Sequence, residues 1–228
     1  MAITGRGDGQ CWLDGESWLS TDSGLVRAGA VGRVLAVSGT NHGQNPGGWF
    51  VDPELSGGGA VMDHTVHVAD VLRWMFGAEA SSVYAEVGTF FGDDLDDAGI
   101  LTIELEGGAA VPGVFATIDP SWSRGAGYPT WGDLTLRIAG TSAVLEVDGF
   151  AERLTTFDHE AGNVSWTSTG EDMNARMLQD FLRGVEGGEP AGAGGLDGLR
   201  ALEIVLAAYR SGREHGTVKV QRSQPSGI

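Results

Sequence analysis

Five strand-like runs in quick succession constrain this chain most. They cover about 82–91, 99–106, 109–118, 133–139 and 143–147, and two of the connections are as short as Gly107-Gly108 and Gly140-Thr141. Alternation is plainest in Leu101-Thr102-Ile103-Glu104-Leu105-Glu106. A period of two puts one set of side chains on a buried face and the other in water. Such short glycine connections join antiparallel neighbours, because a parallel crossover needs about a dozen residues or more. A glycine-bounded run at 32–39 reads as one more strand, a weaker one falls around 154–157, and a short last one at 217–221.

Helices are few. The clearest spans 60–76, where Val61, Met62, Val66, Ala69, Leu72, Met75 and Phe76 recur at spacings near three and four. Gly57-Gly58-Gly59 precede it, and Gly77 follows as a C-terminal cap. Two more helices are expected at about 173–185 and 196–210, separated by a Gly/Pro/Ala link. Strands in a run with helices grouped around them predict an α+β fold, a largely antiparallel open β-sheet with helices packed on one face. A doubly wound nucleotide fold needs regular strand–helix alternation, which is missing. Residues 1–24 form an unpatterned polar arm, 25–221 the folded domain and 222–228 a tail. The stretch 41–58, with Asn, His, Gln, Pro and several glycines, reads as a long functional loop.

Charge narrows the partners. With 14 basic residues against 31 acidic ones the net charge is −17, which repels nucleic acid and anionic lipid. Neither nucleic acid nor membrane is expected as a partner. The one cysteine, Cys11, forms no intrachain disulfide, no apolar run opens the chain as a leader, and no stretch is long enough to span a bilayer. Together these predict a cytoplasmic protein.

The helix at 60–76 carries the chemistry. Asp63 and His67 are spaced i,i+4 and share one face near its start. A carboxylate beside an imidazole orients the ring and raises its basicity, which suits proton transfer near neutral pH. The same spacing also suits a polar helix rim or a satisfied buried pair. Glycines before the helix leave room for a ligand or another chain to come close. The loop offers Asn41, His42, Asn45 and Trp49 as substrate-binding groups, with hydrogen-bonding side chains and a stacking face for a polyol. Asp63, His64, His67 and His42 could supply metal ligands, but His64 and Asp63 lie about 100° apart round the helix and no metal motif supports a centre, so no metal is expected. Trp122, Tyr128 and Trp131 read as core packing in preference to a sugar platform. Gly5-Arg6-Gly7-Asp8-Gly9-Gln10 is an incomplete glycine motif with no strand before it, so no cofactor-binding residue is assigned.

The run Ser56-Gly57-Gly58-Gly59-Ala60-Val61-Met62-Asp63-His64-Thr65-Val66-His67-Val68-Ala69-Asp70-Val71-Leu72-Arg73-Trp74 resembles the signature of the glucose–fructose oxidoreductase, inositol dehydrogenase and rhizopine catabolism (GFO/IDH/MocA) family, where it begins the active-site helix of the C-terminal domain. Residues 26–34 resemble that domain's entry into its first strand, and 197–211 its terminal helix. The resemblance implies an NAD- or NADP-dependent oxidoreductase acting on a sugar or cyclitol. It implies that His67 moves the substrate hydroxyl proton with Asp63 in support, and that copies self-associate as a homo-oligomer. The family's dinucleotide fingerprint and its lysine-bearing motif are not matched, and the one lysine, Lys219, lies at the other end. The expectation is therefore a substrate-binding domain that does not bind NAD or NADP alone and needs a dinucleotide-binding domain, supplied by a partner chain or by a missing upstream region. A non-catalytic sugar-binding or oligomerisation module is the second reading, and a metal-dependent lyase or hydrolase the third.

Overall fold

The computed structural model describes residues 26–92, 95–107, 113–150, 153–158, 163–168, 173–187 and 194–223. Its centre is a seven-stranded sheet in the order β6-β5-β1-β4-β3-β2-β9. The strands are β1 (Val34–Thr40), β2 (Glu79–Gly88), β3 (Ala98–Glu106), β4 (Val114–Asp119), β5 (Thr135–Gly140), β6 (Val144–Asp148) and β9 (Val218–Lys219). β7 (Arg153–Asp158) and β8 (Asn163–Ser168) pair separately as an antiparallel hairpin. Every pairing is antiparallel except β1 with β4. This is the α+β, largely antiparallel sheet that the short glycine turns predict.

The parallel pair has a specific cause. β1 ends at Thr40, and the chain comes back beside it, as β4, only after two helices and the strands β2 and β3. β1 therefore sits between β4 and β5 and takes both as neighbours. The helices are α1 (Pro53–Ser56), α2 (Ala60–Phe76), α3 (Met173–Gly187) and α4 (Gly195–Glu214). α2 and α4 pack on each other, and both lie over β2, with α2 reaching β3. Val61, Val68, Leu72 and Met75 of α2 are fully buried with Leu101, Ile103 and Leu105 of β3 and Ile204 and Val205 of α4. Among the described residues no helix is long and apolar enough to cross a membrane.

The stretch 41–58 is more ordered than a plain loop. A 3₁₀ turn at Gly48–Val51 and α1 interrupt it, and Asp52 caps α1 by accepting from the Glu54 N–H at 2.9 Å. β4 starts later than the sequence reading has it, at Val114, and residues 108–112 lie outside the described set. The arm at 1–24 and the end of the tail likewise lie outside it. β8 escapes the sequence reading because Val164 and Trp166 are its only large apolar residues.

The start of α2 is held from outside the helix. Asp96 accepts from the Gly59 N–H at 3.0 Å through Oδ1 and from the Val61 N–H at 2.8 Å through Oδ2. Its backbone carbonyl accepts from the Ala60 N–H at 2.8 Å. The Tyr209 hydroxyl donates to Asp96 at 2.8 Å and accepts from the Met62 N–H at 3.1 Å. The first-turn donors of a helix have no partner within it, so this set replaces a conventional side-chain cap. The glycines are required by that approach. A Cβ on Gly59 would sit 1.8 Å from the Asp96 carbonyl oxygen, and one on Gly58 would sit 2.2 Å from the Tyr209 hydroxyl. The chain itself comes close to these glycines, as their small size allows, and Gly58 also lines the cavity described below. At the other end Gly77, at φ 58°, donates to the Arg73 and Trp74 carbonyls. Arg73, itself buried, donates to Asp70 at 3.0 Å and to Glu79 at 2.8 and 2.9 Å, and lies 3.6 Å from Asp197 of α4.

Replacing Asp96 with Ala should lower stability by about 1–3 kcal/mol, because several first-turn N–H groups lose a charged acceptor together. Chemical denaturation of the wild type and the variant measures this directly, and Asp96→Asn should recover part of the loss.

Candidate active site

The partly buried strip of α2 borders a cavity of about 610 Å³. Asp63 and His67 line it from the helix, and Asn41, His42 and Trp49 line it from the segment after β1. Five of the six residues singled out from the sequence thus share one cavity. Asn45 is the exception: it is not among the lining residues, and its side-chain oxygen accepts from the Gly47 N–H at 2.9 Å. That bond is a local turn cap, the usual work of Asn two residues before a glycine. Pro46 lines the cavity in its place.

Asp63 is oriented by groups that the spacing argument did not pair with it. The Trp122 indole N–H donates to Asp63 Oδ2 at 3.0 Å, and His64 Nε2 lies 3.3 Å from the same oxygen. Both Trp122 and His64 are buried. His67 is half-buried, and Asp63 acts on it through its charge. Burial disfavours the imidazolium, and the neighbouring His64 adds to this; together they outweigh Asp63 and push His67 down to about 4. Burial likewise lowers His64, against the opposing charge of Asp63 and the nearby Asn41 and Pro120 carbonyls. Both rings are therefore neutral at pH 7.

His42 behaves in the opposite way. Burial alone would lower it, but its Nε2 lies 3.0 Å from Asp119 and its Nδ1 2.9 Å from Asp133, and these carboxylates raise it to about 9. Burial raises Asp133 and is outweighed by His42 and by Arg124, which forms a salt bridge with it, so Asp133 stays well below the usual carboxylate range. Asp133 also accepts from the Thr40 hydroxyl at 2.9 Å and the His42 backbone N–H at 3.1 Å. Arg124 lies over the Tyr128 ring, 4.2 Å from its centroid. Asn41 donates to the Asp133 carbonyl at 2.9 Å, which leaves its own buried Oδ1 with no partner in the protein. Among the described residues no group of three or more His, Cys, Asp or Glu is arranged to hold a metal ion.

Sequence reasoning missed Asp133, Asp119 and Arg124, because nothing in their spacing connects them to residue 42. The aromatic cluster also divides differently from the core reading. Trp122 is buried but bonded to the site, while Trp131 is half-exposed and lines the cavity. The stacked pair Trp49 and Phe50, with ring centroids 3.9 Å apart, lines it as well. The triple glycine before α2 does not suit a dinucleotide. A pyrophosphate needs free first-turn N–H groups, and those of residues 59–62 are all engaged by Asp96 and Tyr209.

Residues 23–146 match the model of the GFO/IDH/MocA C-terminal domain. The chain is 31% identical over 193 residues to the rhizopine catabolism protein MocA of Rhizobium meliloti, covering 80% of this chain and 52% of that protein. It is 25% identical over 170 residues to the myo-inositol 2-dehydrogenase of Thermotoga maritima, covering 72% of this chain and 50% of that one. It spans about half the length of these relatives. The crystal structure of GenD2 from gentamicin A biosynthesis, in complex with NAD, has the same fold, with a TM-score of 0.77 at 21% identity over 95% of this chain and 63% of that one.

The His42 cluster makes a pH prediction. His42 is raised in the folded chain, so its stabilising contribution is complete below its ordinary value of 6.5 and is lost as pH rises through about 9. His67 has the opposite sign. It is lowered, so it costs stability as pH falls from 6.5 towards about 4. Histidine-resolved NMR titration should give midpoints on either side of 6.5, and Asp133→Asn should lower that of His42.

Proposed function

The chain belongs to the GFO/IDH/MocA family through its C-terminal domain, and on that basis we propose that it is the substrate-binding domain of a sugar or cyclitol oxidoreductase that uses NAD or NADP. The observation that carries the reading is one cavity holding Asp63, His67, Asn41, His42 and Trp49 beside a neutral histidine. Oxidation of a secondary alcohol releases one proton and one hydride. His67 takes the hydroxyl proton: its ring is uncharged at neutral pH, though burial makes it a weaker base than the sequence spacing suggests. Asp63, with one oxygen anchored by Trp122 and His64, favours the imidazolium that forms. Asn41 and His42 form the polar wall beside them, and the faces of Trp49 and Trp131 stack on the ring.

The glycine-flanked start of α2 is satisfied from within and offers a pyrophosphate no free first-turn donor. The cofactor therefore belongs to a dinucleotide-binding domain working with this one, and no step of the chemistry here runs through it. Copies of the chain associate through the open face of the sheet, where Leu35, Ile100, Phe115 and Val144 are exposed.

In the protein complete with its dinucleotide-binding domain, His67→Ala should lower turnover by about 10²- to 10⁴-fold, the usual size of a lost proton acceptor. Asp63→Asn should lower it less, since the imidazole remains. Full turnover by His67→Ala would refute the assignment, and turnover abolished by a chelator would favour a metal-dependent lyase or hydrolase instead. Sedimentation velocity of the chain at tens of micromolar should return a dimer or larger species, and a strict monomer would refute the self-association.

A further inference from the structure

We propose that Trp122 is a positioning residue of the proton-transfer site: its indole N–H draws the Asp63 carboxylate away from a direct bond to His67, so that Asp63 acts on that ring through its charge. The inference rests on the reading of His67 as the proton acceptor and adds to it the group that keeps the ring able to accept.

A carboxylate four residues before a histidine on one helix face lies within reach of the ring. Asp63 turns instead towards the segment after β4. Its Oδ2 accepts from the Trp122 indole N–H at 3.0 Å, and His64 Nε2 lies 3.3 Å from the same oxygen. The same cavity shows what direct contact with a carboxylate does. His42, with a carboxylate at each ring nitrogen, is raised to about 9. His67, which Asp63 reaches through its charge, is pushed down to about 4 by burial and by His64. The titratable groups lining the cavity are Asp63, His64 and His67 on α2 and His42 and Asp133 opposite. Gly198, Ala201 and Leu202, which line it from α4, add none. Of the two carboxylates, Asp133 is engaged by His42 and Arg124. Among the lining groups, Asp63 is therefore the one whose direction decides the charge on His67.

Trp122 is fixed in that place from both sides. Its backbone N–H donates to the Asp97 carbonyl at 2.8 Å, one residue on from the Asp96 that clamps the start of α2. Its neighbours hold Gly43: the Ser121 carbonyl accepts from the Gly43 N–H at 3.1 Å, and the Arg124 N–H donates to the Gly43 carbonyl at 3.0 Å. Gly43 in turn lies against the His64 ring, since a Cβ there would come within 2.5 Å of it. One strap thus sets both groups that meet Asp63 Oδ2. A buried indole N–H requires an acceptor in any fold, and a backbone carbonyl would serve. Here the acceptor is a cavity-lining carboxylate, and Trp122 is only 4% exposed, so water competes little for the bond.

The test is histidine-resolved NMR titration of the full chain, which needs no cofactor. Trp122→Phe keeps a buried ring and removes the N–H. The His67 midpoint should then rise by about one pH unit or more, the usual effect of an opposite charge brought into contact. In an Asp63→Asn background the same substitution should leave that midpoint unmoved, because the effect runs through Asp63. Asp63→Asn by itself should move the Trp122 indole N–H signal upfield, since a neutral acceptor bonds more weakly. That readout stands even where Trp122→Phe fails to fold, which circular dichroism reports. In the protein complete with its dinucleotide-binding domain, Trp122→Phe should move the acid side of the pH–turnover profile up with the NMR midpoint. Three results would overturn the proposal and leave the site reading intact: a His67 midpoint unmoved or lowered in folded Trp122→Phe, a rise that persists with Asp63→Asn, or an indole signal blind to Asp63→Asn. Full turnover by His67→Ala would overturn the site reading, and the role of Trp122 with it.

Discussion

Everything at the site depends on how the first turn of α2 is held. Four consecutive backbone donors, residues 59–62, find their acceptors in the Asp96 carboxylate, the Asp96 carbonyl and the Tyr209 hydroxyl. Asp96 arrives from the turn before β3, and Tyr209 from α4. The helix start is therefore tied to the sheet and to the other packed helix at once. The negative charge also sits at the end of the helix where the backbone dipole favours it. Asp63 follows immediately, so its position is fixed by this clamp and not by the helix alone. Glycine at 58 and 59 is the condition for it, because any side chain there would collide with Tyr209 or with the Asp96 backbone.

The electrostatics on the opposite wall follow an alternating pattern. Asp119, His42, Asp133 and Arg124 form a row of opposite charges, with the imidazolium held on both nitrogens. Both of its nitrogens being engaged, His42 is a fixed positive group, while the ring of His67 stays neutral. Two histidines lining one cavity are thus driven to opposite protonation states at pH 7 by what surrounds them: carboxylates raise His42, while burial lowers His67. The row also anchors the end of β1, since Thr40, Asn41 and His42 all bond to Asp133. The same carboxylate that sets the charge therefore shapes the wall.

Much of this was legible in the sequence. The 3.6-residue period and flanking glycines locate α2 over 60–76, and the glycine turns identify the β3–β4 and β5–β6 neighbours as antiparallel. The i,i+4 spacing of Asp63 and His67 places them on one cavity-facing strip. What was not legible is long-range. No local pattern tells that β1 lies between β4 and β5, and that placement alone brings residue 133 within 3 Å of residue 42. Nor does spacing reveal Trp122 as the donor to Asp63, since 59 residues separate them. Asn45 lies off the cavity lining for the opposite reason. A glycine two residues on gives it a local partner, and a local bond competes well against a distant ligand.

The glycines before α2 show how one sequence signal supports two physical readings. Gly-rich segments opening a helix are what anion-binding loops require, because backbone donors must be both free and approachable. Approachability is present here, but freedom is not. Once Asp96 and Tyr209 have taken the first-turn donors, an incoming phosphate would have to displace a carboxylate already bonded to two N–H groups and a phenol. Two anions cannot share that turn without strong mutual repulsion in a partly buried setting. The helix start is therefore closed to a phosphate, and recognition of one has to come from donors elsewhere. The helix thus holds Asp63 and His67 at the cavity with its N-terminal donors spent on the protein itself.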